Sequence, residues 1–522
     1  MGIYLNPSND LFYNDVTHSP FYIDKTMLID NTNRMMFGVQ KHICISRPRR
    51  FGKSMAANML VAYYSRGADS RELFSRLKIG QTADFEKHLN KYNVFYFDIR
   101  SFASKSQNID ALIRLLDKKI IGELKAEFSD VEFSEDYSSD EMLMAVYYAK
   151  KIPFVFIIDE WDCVFRVFRS DSDGQNAYLN YLRTLLKDKP YVALDYATGI
   201  FPIKKYGEHS ALNMYNEYTM QTAVPFSEFV GFTEEEVEGL CERYGLSLDE
   251  MKKWYNGYVT DGISVYNPQS VVSVCTRGVF ANYWTQTETY EALKDYICLN
   301  FDGLRDKITD MIAGGHIKID TTTFVNDMVN FSTADDILTL LVHLGYLTYD
   351  FATKEAWIPN YEVREQFIST VRVLKWQNVT RLVQASAELL NATLASDSEK
   401  VAELVEAAHE NYTSVLRYND ENALACVITL AYYAAQDDYV IHRELATGKG
   451  FADIALIPRK LGTRPAVVIE LKHNNTADAA IAQIKARNYP QKLMEYSGEI
   501  LLVGISYDDD KGHSCVIERI TK

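Results

Sequence analysis

Several chemistries are missing from this sequence. Its seven cysteines, Cys44, Cys163, Cys241, Cys275, Cys298, Cys426 and Cys515, form no C-x-x-C pair and follow no regular spacing. That argues against a disulfide framework or a zinc site and for buried, reduced thiols. None of the ten histidines stands at an H-x(n)-H metal spacing, and no G-x-S-x-G elbow supports a serine hydrolase. No apolar run approaches the ~18 residues of a membrane span. The chain begins Met-Gly but carries Asn6, which fails the myristoylation pattern, and it opens without a basic-then-apolar leader. A cytoplasmic location without membrane attachment is the expectation. Positive charge is also short: 55 Lys and Arg stand against 71 Asp and Glu, a formal balance of −16. Bulk charge does not draw nucleic acid, so such a partner would need a local basic groove or bound metal ions.

What is present is a chain of 522 residues, 47% hydrophobic and 24% charged, with the composition of a globular protein. At roughly 100–200 residues per domain it has room for two to four. Short apolar runs at 41–46, 93–99, 153–159 and 191–198 read as strands, with helical segments such as 109–127 and 174–187 between them. Strands alternating with helices predict a doubly wound α/β domain with a parallel sheet. Past residue 230 the pattern turns helical, with Thr233 as a helix N-cap and Glu236 three residues on. Residues 334–350 followed by 355–360 outline a helix, a turn and a small hairpin, a winged-helix-like unit. Residues 372–440 read as mostly helical. Strand-like runs then begin at 438, 451 and 465, followed by a helix from 477 and a last strand at 499–507, which makes a second α/β unit. Domains are expected at 1–235, 236–374 and 375–522.

The stretch "ISRPRRFGKSM" (45–55) lies between a predicted strand and a predicted helix. A phosphate-binding loop needs inward backbone N–H groups, a lysine and a hydroxyl for Mg²⁺. Gly52, Lys53 and Ser54 answer those needs, with Arg49, Arg50 and Phe51 completing the loop. Arg47 stands where G-x-x-x-x-G-K-[ST] has its first glycine, so Arg47 is expected to make the tight turn by other means, with Pro48 fixing the chain. "FVFIIDEWD" (154–162) supplies the second half of such a site: Asp159 at a strand end to complete Mg²⁺ coordination, Glu160 to polarise the attacking water. For Thr198, at the end of the fourth strand, sensing the γ-phosphate and capping a turn are both open. Arg49 and Arg50 are open between phosphate contact and facing acidic residues. Arg166 and Arg169 are the candidates for an arginine finger.

The C-terminal unit carries "GKGFADIALIP" and "AVVIELK". Strand alternation puts Glu470 and Lys472 on one face, and a hairpin brings Asp453 opposite them. Two carboxylates at such a corner suit Mg²⁺, which polarises a phosphodiester, while the lysine offsets developing negative charge. Gln483 and Lys485 on the following helix are placed for a phosphate contact. Glu421 and Glu444 are open between a further acidic ligand and an ordinary solvated acid, and His473 reads as incidental.

Together these motifs make the chain resemble the bacterial AAA-ATPase-like proteins with a C-terminal PD-(D/E)xK nuclease-superfamily domain. The resemblance runs through "FYIDKTMLI" (21–29), "ISRPRRFGKSM" (45–55), "FIIDEWD" (156–162), "ATG" (197–199), "FVGFTEEEV" (229–237), "WYNGY" (254–258), "VYNPQSV" (265–271), "LGYLT" (344–348), "IPNYEVREQF" (358–367) and the Asp453 and Glu470–Lys472 pair. It makes Arg47 a family trait, although Phe451 and Ala452 stand where many members have Gly-Arg before the first acid. The family also looks like the STAND-type archaeal ATPases, in which "WYNGY" would belong to the lid, with Tyr255 or Tyr258 either on the base or in the lid core. The resemblance implies an N-terminal P-loop NTPase, a helical lid and winged-helix-like middle, and a restriction-endonuclease-like α/β domain. It implies ATP and Mg²⁺ as cofactors and nucleic acid, DNA before RNA, as partner, and leaves a homo-oligomer open. Three functions compete: an ATPase controlling a metal-dependent nuclease, a STAND-like nucleotide switch whose nuclease fold only binds nucleic acid or a partner, and a nuclease-like fold with a stabilising role.

Overall fold

The computed structural model describes residues 2–203, 212–284, 289–299, 301, 303–324, 331–374, 376–412, 427–447, 450–460, 462–486, 498–508 and 512–521. By packing, the chain divides into two compact units, Met1–Trp284 with Ile319–Asn360, and Thr285–Lys318 with Tyr361–Lys522. Among the described residues no helix is long and apolar enough to cross a membrane. The six described cysteines are all thiols; Cys44, Cys163 and Cys241 are buried and Cys298 is exposed.

The first unit is built on a five-stranded parallel sheet of β1 (His42–Ser46), β2 (Asn93–Asp98), β3 (Phe154–Asp159), β4 (Val192–Gly199) and β5 (Asn216–Tyr218). The order is β2-β3-β4-β1-β5. The strands β1, β3 and β4 are buried at every position, which is why their sequences are unbroken apolar runs. Helices cover the faces. Ile109–Glu127 buries Leu112, Leu116, Ile120 and Leu124 at helical spacing against Phe95, Phe154 and Phe156 of the sheet. Because β4 lies between β1 and β3, the ends of the phosphate-loop strand and of the acidic strand are held apart by one strand, and Thr198 sits between them.

The remainder of this unit follows the expected local signals. Thr233 caps Glu234–Tyr244 through the Glu236 N–H, and the Glu236 carboxylate returns to the Thr233 N–H at 2.8 Å. Thr333 and Asp336 do the same for Ala334–Leu344, which ends at Gly345 in the left-handed region. The hairpin Thr348–Asp350 with Glu355–Trp357 follows.

The second unit contains the helices Gln377–Leu394 and Ser398–Tyr412 and a five-stranded mixed sheet. Tyr439–Thr447, Gly450–Pro458 and Ala466–His473 run antiparallel in turn. The helix Ala477–Ala486 then crosses over to Glu499–Asp508, which lies parallel to Ala466–His473. The strand expected to be last has a successor: Gly512–Thr521 adds an antiparallel edge. Its exposure is intermediate or high along its whole length, so it lacks the apolar run that marks the inner strands. The crossover helix sits on Val468, Ile500 and Leu502 through Ile481 and Ile484. Glu421 and the Glu444 side chain lie outside the described residues.

Candidate active sites

The phosphate loop does not turn where the sequence pointed. Arg47 has an ordinary backbone and continues the β1–β4 ladder, its N–H donating to the Gly199 carbonyl at 3.0 Å. The left-handed positions are Arg50 (φ 73°) and Gly52 (φ 89°). Arg47 instead buries its guanidinium, donating to the carbonyls of Ser46 and Thr219. Burial lowers its pKa to about 10, against the opposing charge of Asp261. It ties the loop to the chain beyond β5, a structural role for the residue at the first-glycine position.

The loop is also held from behind. Phe51 is buried edge-on against Tyr258, ring centroids 5.3 Å apart. The Tyr258 hydroxyl donates to the Gly345 carbonyl at 2.8 Å, and Asn267 donates to the Arg49 carbonyl at 3.4 Å. Gly345 packs so closely on Pro48 that a Cβ there would come within 2.7 Å. Tyr258 thus sits in the core behind the loop, and Tyr255, also buried, donates to the Ala281 carbonyl at 2.7 Å. Of Phe51, only the backbone remains for a phosphate.

The front of the loop opens the helix Lys53–Tyr64. A Cβ added at Gly52 would meet nothing within 4 Å, so the backbone here faces open space. Lys53 is buried and donates to the carbonyls of Arg47 at 3.0 Å and Pro48 at 2.9 Å. Burial lowers its pKa, and the charges of Glu160, Asp159 and Asp162 oppose that shift. Asp159 accepts from the Thr198 hydroxyl and from the Glu160 N–H. Burial raises its pKa, while hydrogen bonds from Ser54 and Thr198 and the charge of Lys53 pull the other way. The Thr198 hydroxyl is given to the acid beside it. Glu160 has a left-handed backbone (φ 55°) and pairs with Arg166, which is also 3.8 Å from the buried Asp162. Burial alone would raise the Glu160 pKa, but Arg166 and Lys53 outweigh it and hold the carboxylate below its usual range; Arg49 adds to them. Arg166 is thus committed within its own chain, and Arg169 is the exposed one of the two. Arg50 is exposed and Arg49 half-buried.

In the second unit Ile454 pairs with Ile469, so Asp453 stands one step further along, beside Glu470. Asp453 accepts the Leu471 N–H at 2.7 Å. Glu470 is only 1% exposed and accepts from Lys472 Nζ at 3.3 Å and from Gln483. Gln483 donates to the Glu470 carboxylate, and Lys485 pairs with Glu518 at 2.5 Å. Gly504 lies opposite Glu470 on the next strand. A Cβ there would come within 2.3 Å of the Ala477 carbonyl, so the missing side chain is what lets the crossover helix close on the strand. Sequence reasoning missed Gly504; its signal was a lone glycine in an apolar strand, which marks close approach. His473 stacks on Tyr507, next to a chain running from His409 through His513 to Glu406.

Both places fit a hard divalent ion. The donors are hydroxyl and carboxylate oxygens, Ser54 with Asp159 in one and Asp453 with Glu470 in the other. Among the described residues no three His, Cys, Asp or Glu side chains are gathered for a metal. An ion at either place would complete its shell with water and phosphate oxygens, as Mg²⁺ does.

Comparison with known proteins agrees with this division. Residues 12–207 match the family described as predicted AAA-ATPase, and residues 419–517 match the PD-(D/E)XK nuclease superfamily. The chain therefore joins an AAA-ATPase-like domain to a PD-(D/E)XK nuclease-superfamily domain. It is similar to an uncharacterized protein in the vnfD 5′ region of Azotobacter chroococcum mcd 1, 24% identical over 521 residues, covering 94% of this chain and 93% of that one. Among solved structures it matches the Walker-type ATPase of Pyrococcus abyssi, with 14% identity, TM-score 0.33, 66% of this chain and 94% of that chain. It also matches the ORC2 protein of Aeropyrum pernix, with 11% identity, TM-score 0.31, 67% of this chain and 92% of that chain.

Proposed function

We propose that this protein binds and hydrolyses ATP·Mg²⁺ in its N-terminal domain, and that the nucleotide state controls Mg²⁺-dependent cleavage of nucleic acid phosphodiesters in its C-terminal domain. Lys53, the loop N–H groups and Arg49 and Arg50 bind phosphate, Ser54 and Asp159 hold the ion, Glu160 polarises water and Thr198 orients Asp159. Asp453 and Glu470 hold a second Mg²⁺, which supplies Lewis acidity to the scissile phosphate. Lys472 offsets the charge that develops there. The domains run 1–235, 236–374 and 375–522; the protein works in the cytoplasm, on DNA before RNA.

The observation that carries this reading is the second centre. Asp453 borders Glu470 across one hairpin, and Lys472 and Gln483 both bind the Glu470 carboxylate. A buried acid held by a lysine and an amide stabilises the fold less than apolar side chains of the same size would, and such pairs cluster at functional sites. The competing reading, a nucleotide switch whose nuclease fold only binds, is favoured by the near-complete burial of Glu470.

Plasmid DNA, single-stranded DNA and RNA incubated with Mg²⁺ or Mn²⁺, with and without ATP, decide between them. Cleavage by the wild type that disappears in Asp453→Asn and Glu470→Gln, and loses its ATP response in Lys53→Ala, supports the nuclease. A wild type that binds these substrates and never cuts them supports the switch.

A further inference from the structure

The pairing of Glu160 with Arg166 has a consequence for the nucleotide cycle. A carboxylate that polarises water must turn an oxygen toward that water. Here Oε2 of Glu160 is taken by Arg166, and both side chains are largely buried, 19% and 13% exposed. Arg166 is itself anchored. Its Nη2 lies 3.8 Å from Oδ1 of Asp162, a fully buried acid. The other oxygen of Asp162 accepts the N–H groups of Ile200 and Phe201, each at 3.0 Å, just past the end of β4. The guanidinium therefore faces an acid that is itself fastened to backbone, unlike a mobile surface ion pair. Lys53 shows the same internal commitment, donating to the carbonyls of Arg47 and Pro48. The phosphate-binding cation and the water-polarising acid are both engaged by the protein itself, in one arrangement.

We propose that Arg166 is a positioning residue that holds Glu160 away from the attacking water until ATP binds. This rests on the ATPase reading above. Phosphate draws Lys53 off its loop carbonyls, and Glu160 then exchanges Arg166 for water. Asp162 keeps Arg166 in place for the return.

The test is steady-state ATP turnover by the full chain, with nucleotide affinity measured by a fluorescent ADP analogue. Arg166→Ala is expected to raise kcat roughly tenfold, the rate equivalent of losing one charge-assisted hydrogen bond, with affinity kept within about twofold. Arg166→Lys, which keeps the pair, stays near the wild type. In a Glu160→Gln background Arg166→Ala changes nothing, since its effect runs through that carboxylate. If the alanine variant fails to fold, Arg166→Gln, which removes the charge and keeps a polar side chain in the same space, is read in the same way. A fall in kcat restored by Arg166→Lys would mean that Arg166 orients Glu160 productively and would overturn the proposal, as would an unchanged kcat. Lys53-dependent nucleotide binding without turnover in either wild type or Arg166→Ala sinks the proposal alone. Absence of Lys53-dependent binding sinks the ATPase reading beneath it.

Discussion

The two candidate centres are built by opposite means. The nucleotide centre collects side chains from the ends of three strands that are far apart in sequence, and three of its residues, Arg50, Gly52 and Glu160, have left-handed backbones. The Asp453 centre uses two strands joined by a hairpin, and none of Asp453, Glu470 and Lys472 departs from extended geometry. In the first, the charged groups bind the loop itself and one another. In the second, Glu470 is clamped by a helix that packs tightly on its strand. Loop geometry of the first kind stores strain and has room to change with a ligand, whereas the second is preformed.

The sharpest way to break this contrast is at Lys53. Lys53→Ala is expected to lower ATP turnover by roughly 10²–10³, the cost of removing one preorganised donor to a developing negative charge. The thermal unfolding of the C-terminal domain stays where it was. A coupled phosphate-release assay beside a calorimetric scan reads both, and turnover within a few-fold of wild type would remove Lys53 from the site.

At the other centre Gln483→Ala is expected to cost about 10–100-fold in metal-dependent cleavage, as for other groups that orient a metal-binding carboxylate. Nucleotide affinity is unaffected. Equal loss of both activities would mean general unfolding and no special role for Gln483.

Acid sensitivity sharpens the comparison less dramatically. His343 is buried in the first unit against Phe324, and burial lowers its pKa to about 4. The unfolded chain, with a His pKa near 6.5, binds the proton first, so this contribution is intact above about pH 6.5 and is lost as pH falls toward 4. At pH 5 it amounts to a loss of about 2 kcal/mol. His409 in the second unit, lowered to about 4 by burial and by His513, falls in the same window. Urea unfolding at pH 7.5 and pH 5 is the measurement; His343→Leu should flatten the response of the first unit and leave that of the second.

The smallest effects lie in the backbone. Gly504→Ala should destabilise the second unit by about 1–3 kcal/mol, because the crossover helix must lift from the strand. Arg50→Gly should stabilise the first by at most about 1 kcal/mol by relieving a left-handed non-glycine residue. Opposite signs in the two unfolding midpoints are expected; equal signs would contradict the packing described for one of them.

Much of this is legible in the sequence. The strands β1 to β4, the cap at Thr233 and the helix–hairpin at 334–357 follow from apolar runs and capping chemistry, which act over a few residues. Lys472 beside Glu470 follows from strand alternation. Arg47 was misread because the missing glycine suggested a missing turn, whereas φ is relaxed at Arg47 and positive at Arg50. The partner of Arg166, the hydroxyl of Thr198 on Asp159 and the helix contact at Gly504 had no local signature, since each joins groups from different elements.

The amino-acid sequence by itself determined the kinds of site this protein carries: a lysine and hydroxyl after a strand, an acid pair at the end of an apolar run, and a second acid pair with a lysine across a hairpin. Those depend on residue type and short spacing, and strand and helix periodicity transmits them directly. Only the tertiary structure decided what state the groups are in. The strand order puts Thr198 between loop and acid, burial shifts Lys53 and Asp159 while Arg166 and Lys53 hold Glu160 down, and packing assigns Glu160 to Arg166 and Glu470 to Gln483. Those outcomes depend on distances between segments remote in the chain, which no local pattern specifies.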